Sequence, residues 1–281
     1  MSILKTEKLH YDYLSYRDNS EEPEVTHALK GIDMSVEEGM FIAIVGNNGC
    51  GKSTLARHIN ALLSPTEGSV WICGMDTKNS EDIWKIRQSA GLVFQNPDNQ
   101  IIASVAEEDV AFGPENLGLP TQEIWKRVDK ALKATGMSAY RMQSPNKLSG
   151  GQKQRLTIAG VMAMEPRCIV LDEPTAMLDP SGRRECMAAL NELNKKNNVT
   201  VILITHYMDE VLNADKVFVM EDGCVKLSGT PREIFFRAEE IKKIGLELPQ
   251  VTLLAHELAL AGADITEPVL SIDELAEQLC R

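Results

Sequence analysis

The 281-residue sequence has no apolar run that approaches the roughly 20 residues a helix needs to cross a bilayer. Its best candidate, "VTLLAHELALAGADI", is interrupted by His256, Glu257 and Asp264. The opening stretch, "MSILKTEKLHYDY", lacks the apolar centre of a secretory leader. Any membrane role is therefore expected to be peripheral. C-x-x-C pairs are missing as well. The six cysteines (Cys50, Cys73, Cys168, Cys186, Cys224 and Cys280) are scattered, and none stands near a histidine at zinc spacing. Several fall in apolar runs, where cysteine acts as a small hydrophobe, and a reducing cytosol suits that usage. Positive charge is in deficit: the net charge is −12, which argues against a nucleic-acid binder. Internal repeats and low-complexity segments are absent. At 43% hydrophobic and 25% charged residues, the chain has room for a substantial core and a small second domain.

One short stretch is rich in what most sequences use sparingly. "VGNNGCGKST" (45–54) places Gly46, Gly51, Lys52 and Ser53 in the order G-x-x-x-x-G-K-S, the phosphate-loop pattern. Glycines permit positive φ and close ligand approach. The backbone N–H groups of Asn47, Asn48, Gly49, Cys50 and Gly51, with the helix start at Lys52, Ser53 and Thr54, can converge on phosphate oxygens. Lys52 is expected to reach the β- and γ-phosphates, and Ser53 to hold Mg²⁺. Cys50, close to Lys52 and to these N–H groups, is expected to favour the thiolate. A glycine-rich turn capping a helix is the other reading. The strand-like "MFIAIVG" before it and the helix-like "KSTLARHINALL" after it count against that.

Along the chain, two short early strands are expected around "GIDMSV" and "FIAIVG", followed by the strand "GSVWICG". Ser80 is expected to cap a helix over "EDIWKIRQ", and "AGLVFQ" reads as the next strand. A helix follows from Thr121 to about Gly136, with Ile124, Val128, Ala131 and Leu132 on one face. Another begins near Ser149. "RCIVLD", "VTVILIT" and "KVFVM" are further strands, with helices over 181–197 and from about Met208 between them, and "EDG" turns the chain into "CVKLSG". Alternating helices and continuously apolar strands imply an α/β fold on a largely parallel sheet with antiparallel additions. The stretch 96–150 reads as an inserted helical subdomain. After Gly229, "TPRE" and "SIDE" have capping-box spacing, and the chain turns mostly helical.

Two more constellations carry chemistry. "CIVLDEPT" ends an apolar strand in Asp172 and Glu173, where α/β folds place their sites. Asp172 fits a Mg²⁺-associated aspartate, and Glu173 is placed to orient or deprotonate a water. "KLSGGQKQR" is a second anion-binding helix start: Ser149 and Gln152 have capping-box spacing, and Gly150 and Gly151 leave backbone N–H groups unshielded. The residues alone do not say whose phosphate it would bind, and a simply capped helix remains the other reading.

"GNNGCGKS", "LSGGQ" and "LDEPT", in that order over about residues 3–235, resemble the ATP-binding-cassette ATPases. The resemblance implies the nucleotide-binding-domain fold of that family over 1–235, with a helical subdomain over about 96–150. It also implies ATP and Mg²⁺ as ligands, and two cassettes packed head to tail. Leu148, Ser149, Gly150, Gly151 and Gln152 of one chain would then contact ATP held by the other. Gln95 in "VFQNP" resembles the glutamine that touches Mg²⁺ and the lytic water. Asp179 in "MLDP" resembles the loop at the dimer interface, and His206 in "ITHY" the switch histidine at the γ-phosphate. Tyr13 resembles the aromatic that stacks on adenine, with Tyr11 and Tyr16 as neighbours able to take that place. Many relatives carry aspartate where this chain has Tyr207.

"VFQNPDNQ" and "EEDVAFGPENLGLP" are a narrower match, to the first ATPase type of energy-coupling-factor (ECF) transporters, prokaryotic importers of vitamins and transition-metal ions. That match implies a similar but non-identical ATPase partner, although a homodimer stays open. It also implies a membrane-embedded coupling protein docked near Gln100, and a substrate-capturing membrane protein. The location would be the cytoplasmic face of the membrane, with a helical extension over 236–281 serving dimerisation. The alternatives are the ATPase of a conventional binding-protein-dependent importer and a non-transport cassette ATPase. No sustained heptads separate Lys52 from Ser149, as the coiled coils of repair cassettes would require.

Overall fold

The computed structural model describes residues 2–15, 24–265 and 268–280. Tyr16 lies outside them. The chain begins with two long strands, β1 (Ser2–Ser15) and β2 (Glu24–Glu37), and then enters β3 (Phe41–Gly46) and α1 (Lys52–Ile59). Next come β4 (Glu67–Ile72), the two-residue β5 (Met75–Asp76), α2 (Ile83–Ser89) and β6 (Ala90–Val93). A helical stretch holds α3 (Ala106–Asn116), α4 (Thr121–Ala134) and α5 (Gly150–Ala163). The core resumes with β7 (Cys168–Asp172), α6 (Pro180–Asn197), β8 (Thr200–Ile204), α7 (Met208–Val211), β9 (Lys216–Glu221) and β10 (Cys224–Gly229). The last helices are α8 (Pro231–Phe236), α9 (Ala238–Lys243), α10 (Gln250–Leu260) and α11 (Ile272–Leu279).

Two sheets result. One is antiparallel, in the order β2-β1-β4-β5; the other has the order β10-β9-β3-β8-β7-β6 and is parallel except for the β10 edge. The residues explain the difference. Every position of β3, β6, β7 and β8 is buried, so both faces are mainly apolar, and these strands are dominated by Val, Ile, Leu and Ala. Strand alternation then divides them between two cores. Ile42 and Ile44 face α1 and the antiparallel sheet, meeting Leu9, Ile32, Val36, Leu55 and Ile59. Phe41, Ala43 and Val45 face the other way, toward Leu190 and Leu193 of α6 and Phe235 of α8. A third cluster holds the helical stretch together, with Val110, Val128, Leu132, Leu148, Leu156 and Ala159. The face expected for α4 is the one that is buried.

Three local expectations are corrected. The strand expected around "GIDMSV" is the end of the 14-residue β2, while "FIAIVG" is the short β3. β1 was not foreseen, because its alternation breaks at Lys8, which takes a positive φ of 45° where the pairing with β2 shifts register between Thr6 and Leu9. Ser80 does not cap α2. Asn79 takes over the turn, accepting from Glu81 N at 3.2 Å and donating to Asp82 at 2.8 Å, and the helix starts one residue past Asp82. In "SIDE", Ser271 caps α11, but Glu274 does not reach back to Ser271. Its carboxylate is held by Leu270 N at 2.8 Å and by Arg232 of α8 at 2.7 Å. The "TPRE" box at α8 is complete.

The bulge at Lys8 is matched across the sheet by Gly68, at φ 76°, whose absent side chain leaves room for the Lys8 and Glu7 carbonyl oxygens. A Cβ there meets both a forbidden backbone region and fixed backbone atoms. Gly68→Ala is expected to destabilise the fold by roughly 2 to 4 kcal/mol, read as a lowered midpoint in denaturant unfolding. Wild-type stability in that variant would mean the bulge relaxes freely.

Candidate functional site

The carboxyl ends of the parallel strands face one cavity of about 1120 Å³. β3 ends in Gly46 and feeds the phosphate loop. β6 leads to Gln95, β7 ends in Asp172 followed by Glu173, and β8 leads to His206. This end of an open α/β sheet is where loops can gather without breaking the ladder.

The loop is shaped by its own atoms. Gly51 has φ 102°, and a Cβ on it would strike the Ala28 carbonyl at 2.6 Å and Leu29 at 2.8 Å, so no other residue fits there. Lys52 is buried and donates from Nζ to the carbonyls of Gly46 at 2.7 Å and Asn47 at 2.9 Å. Its charge is thereby fixed on the inner side of the loop. Asn48 and Gly49 form the exposed rim, and Thr54 is buried beneath it. Tyr13 also lines the cavity, with its hydroxyl 3.3 Å from Thr54 Oγ1. Tyr11 does not. Its ring stands edge-on to Tyr13 at 4.9 Å and to His58 at 4.7 Å, bracing Tyr13 from behind.

Asp172 is buried, and burial pushes its carboxyl above the usual range, while the Ser53 hydroxyl, hydrogen-bonded to it, opposes that shift. A desolvated carboxylate beside a hydroxyl is a hard-oxygen pair short of positive charge, which suits Mg²⁺. Among the described residues no group of three or more His, Cys, Asp or Glu is placed to hold a metal. An ion here would therefore complete its shell with phosphate and water, as Mg²⁺ does.

Glu173 is held from three sides. Its N–H donates to the Ile204 carbonyl at 2.9 Å, and its Oε2 accepts from Gln95 Nε2 at 2.9 Å and lies 3.5 Å from His206 Nδ1. Its φ of 48° is a left-handed conformation that glutamate rarely adopts. Such strain persists only where surrounding contacts over-determine it, and it clusters at working sites. Side chains from the loops after β6 and β8 thus converge on one oxygen of a carboxylate carried by the loop after β7.

The helix start at Ser149, expected as a second anion site, lies elsewhere. Ser149 and Gln152 form the reciprocal box, Ser149 N donating to Gln152 Oε1 at 2.8 Å and Gln152 N to Ser149 Oγ at 3.3 Å. Leu148 anchors it in the helical cluster, while Ser149 and Gly150 are exposed and Gly151 packs against Leu178. None of Leu148 to Gln152 lines the cavity of the phosphate loop. Asp179 is exposed and caps α6 through Gly182 N at 3.0 Å.

Two site features were not foreseen. Gly245, Leu246 and Glu247, just past α9, close one side of the cavity, and Asn47 Nδ2 donates to the Ile244 carbonyl. Thr26, His27 and Ala28 of β2 line another side. The first contact joins residues almost 200 positions apart with no shared motif, so only the fold reveals it. The Cys50 expectation is overturned. Its thiol is buried, and that burial pushes its pKa up, outweighing the opposing effect of Lys52, whose Nζ is 3.9 Å away.

A phosphate-binding loop, a hydroxyl–carboxylate pair for a cation and a clasped carboxylate for a water define a phosphate-loop nucleoside triphosphatase. The ABC transporter family model matches residues 29–176. The energy-coupling factor transporter ATP-binding protein EcfA1 of Caldanaerobacter subterraneus subsp. tengcongensis is 61% identical, across 90% of this chain and 91% of its own. Among solved structures, cbiO1 from Clostridium perfringens, described as part of the ABC transporter complex cbiONQ, matches with a TM-score of 0.75 at 44% identity, over 91% of this chain and 99% of that one. The ATP-binding cassette MJ0796, in a dimeric post-hydrolysis state bound to ADP and Pi, matches with a TM-score of 0.73 at 32% identity, over 82% and 99%. The chain belongs to the ABC transporter family. Its chemistry is ATP hydrolysis coupled to transport.

The buried Cys50 gives a direct check on the loop. Maleimide is expected to label exposed Cys280 first and Cys50 only slowly, with the Cys50 rate rising at a higher pH than for an ordinary thiol. Peptide mapping after timed labelling reads this. Cys50 reacting as fast as Cys280 at neutral pH would show an open loop with an accessible thiolate.

Proposed function

We propose that the chain is the ATP-hydrolysing subunit of an ECF importer for vitamins or transition-metal ions. It would work as one half of a head-to-tail ATPase pair with a similar cassette. The observation that carries the pairing is the position of the signature helix start: Ser149 and Gly150 are exposed, and the segment does not line the chain's own phosphate cavity. A second chain would bring its phosphate loop to that surface, and Asp179 would lie at the same interface. The dimeric cassette structure among the relatives supports this arrangement, and the relative named EcfA1 supports the ECF assignment.

In the reaction, water attacks the γ-phosphorus in line, the bond to the β–γ bridging oxygen breaks, and ADP leaves. Glu173 accepts the water's proton at Oε2. Gln95 and His206, which meet that oxygen in the structure, orient Glu173 and the transferred group. Lys52 and the loop N–H groups hold the β- and γ-phosphates. Ser53 and Asp172 would hold Mg²⁺, with Gln95 close by, and the ion would supply neutralising charge to the phosphates. Tyr13 would stack on the base. Because ATP would contact two chains, its binding favours the closed pair, and its loss reopens it.

No helix among the described residues is long and apolar enough to cross a membrane. Docking onto a membrane-embedded coupling protein, which in turn holds a substrate-capturing protein, would place the chain on the cytoplasmic face. An apolar cleft of about 430 Å³ supports that, with Trp84, Ile102, Phe112, Leu117 and Met164 in its lining. Gln100 sits in it, bonded to Leu92 O at 3.3 Å and Phe94 N at 3.1 Å, so the cleft adjoins the strand that leads to Gln95. The extension from 236 onward would help hold the ATPase pair.

Ser149→Arg tests the pairing, because it blocks the signature and leaves the phosphate loop intact. Labelled-ATP binding to the isolated chain should survive. In a mixed dimer, hydrolysis at the partner's phosphate loop should fall at least about tenfold. If the variant folds but the isolated chain no longer binds ATP, the signature acts within its own chain and the head-to-tail reading is wrong.

A further inference from the structure

The loop that carries His206 is fastened to the start of α6 by an aromatic–cation stack. The Arg183 guanidinium lies 3.4 Å above the Tyr207 ring centre, and the Tyr207 ring packs against the His206 ring with centroids 4.0 Å apart. Among the described residues Arg183 Nε finds no hydrogen-bond partner. The guanidinium is therefore placed by the ring face and by the Glu210 carboxylate, 3.8 Å away, rather than by directed bonds. Glu210 is buried and accepts from Thr175 and Thr205, each at 2.6 Å. Thr205 in turn accepts from Tyr207 N at 3.0 Å. Thr175 belongs to the loop after Glu173, Thr205 precedes His206, and Arg183 N bonds to the carbonyl of Asp179 at 2.9 Å. Two loops, 173–179 between β7 and α6 and 205–207 between β8 and α7, are thus joined behind His206 rather than in front of it.

We infer that Arg183 and Tyr207 are positioning residues for hydrolysis, holding the His206 ring toward Glu173 and linking that ring to the Asp179 turn. This rests on the reading of His206 as a group that acts on the transferred phosphoryl. The His206 ring is substantially exposed and makes no contact with Glu173 closer than 3.5 Å. Its direction therefore depends on what packs against its other side. The flat Tyr207 ring supplies that surface, and the stacked guanidinium keeps the Tyr207 ring from turning. Removing the ring face or the cation frees His206 without touching the phosphate loop, Tyr13 or the Ser53–Asp172 pair. The cost should therefore fall on kcat and spare the KM for ATP.

Steady-state ATPase kinetics of the full chain in its paired form decide it, with thermal melting as the control for folding. Tyr207→Leu, which keeps apolar bulk but removes the ring, should lower kcat about five- to thirtyfold, the span a cation–π contact covers. KM should stay within about twofold. Tyr207→Phe should restore most of the rate. Arg183→Gln should match Tyr207→Leu, and the double variant should be no worse than either alone. In a His206→Ala background both substitutions should be nearly silent, because they act through that ring. Arg183→Gln carries the test alone if Tyr207→Leu loses cooperative melting. If His206→Ala loses activity while Tyr207→Leu and Arg183→Gln keep the wild-type kcat, the inference is overturned and the role of His206 stands. Equal losses with and without His206 overturn it as well. A His206→Ala enzyme that turns over at the wild-type rate removes the underlying reading, and the inference with it.

Discussion

Everything in the site depends on one strained residue. Glu173 sits one position past the end of β7 with a left-handed backbone, and its amide is locked to the Ile204 carbonyl of the neighbouring strand. That lock fixes where β7 ends relative to β8, and so where Asp172 and His206 stand relative to each other. The strain costs of order 1 to 3 kcal/mol. It is offset by a sheet whose central strands are buried on both faces, since a loosely packed strand end would relax to an ordinary conformation. The cores on both sides of β3, β7 and β8 thus act on function directly: they hold the carboxylate off its preferred backbone geometry and pointed at Gln95 and His206.

The legible parts of this architecture are those whose chemistry is local. β3, β6, β7 and β8 announce themselves because burial on both faces leaves no polar alternative. The phosphate loop does so because only glycine fits at Gly51. The capping boxes at Ser149 and Thr230 are likewise short-range. What the sequence hides is whatever depends on a distant partner. β1 was obscured because Lys8 breaks its alternation, and the break makes sense only beside Gly68. Ser80 had the right chemistry for a cap, yet Asn79 reached the turn first. Cys50 had cationic and N–H neighbours, but its burial, visible only in the fold, decides its protonation. The contact of Asn47 with Ile244, and the stack of Arg183 on Tyr207, join segments that share no pattern.

The family assignment and the geometry divide the work between them. A relative at 61% identity, and cassette structures aligned over most of the chain, establish a transport ATPase. The geometry adds the basis of the proposed pairing. The chain's own phosphate cavity gathers the loop, Gln95, Glu173 and His206, and a second capped helix start, at Ser149, faces the outside. The phosphate cavity holds Gln95, and the apolar cleft holds Gln100, which is bonded to Leu92 and Phe94 just before Gln95. A change at the γ-phosphate is thereby only a few residues from the surface proposed to meet the membrane complex.

The central claim is that the clasped Glu173 carboxylate takes the proton from the attacking water. Glu173→Gln keeps the size of the side chain and its contact with Gln95 but removes the proton acceptor. Single-turnover hydrolysis of labelled ATP, measured alongside equilibrium binding, is the direct test. The account predicts binding close to wild type, hydrolysis slower by at least about a hundredfold, and ATP that stays intact in a persistent dimer. Hydrolysis at a near-wild-type rate would contradict it and assign the proton to another group.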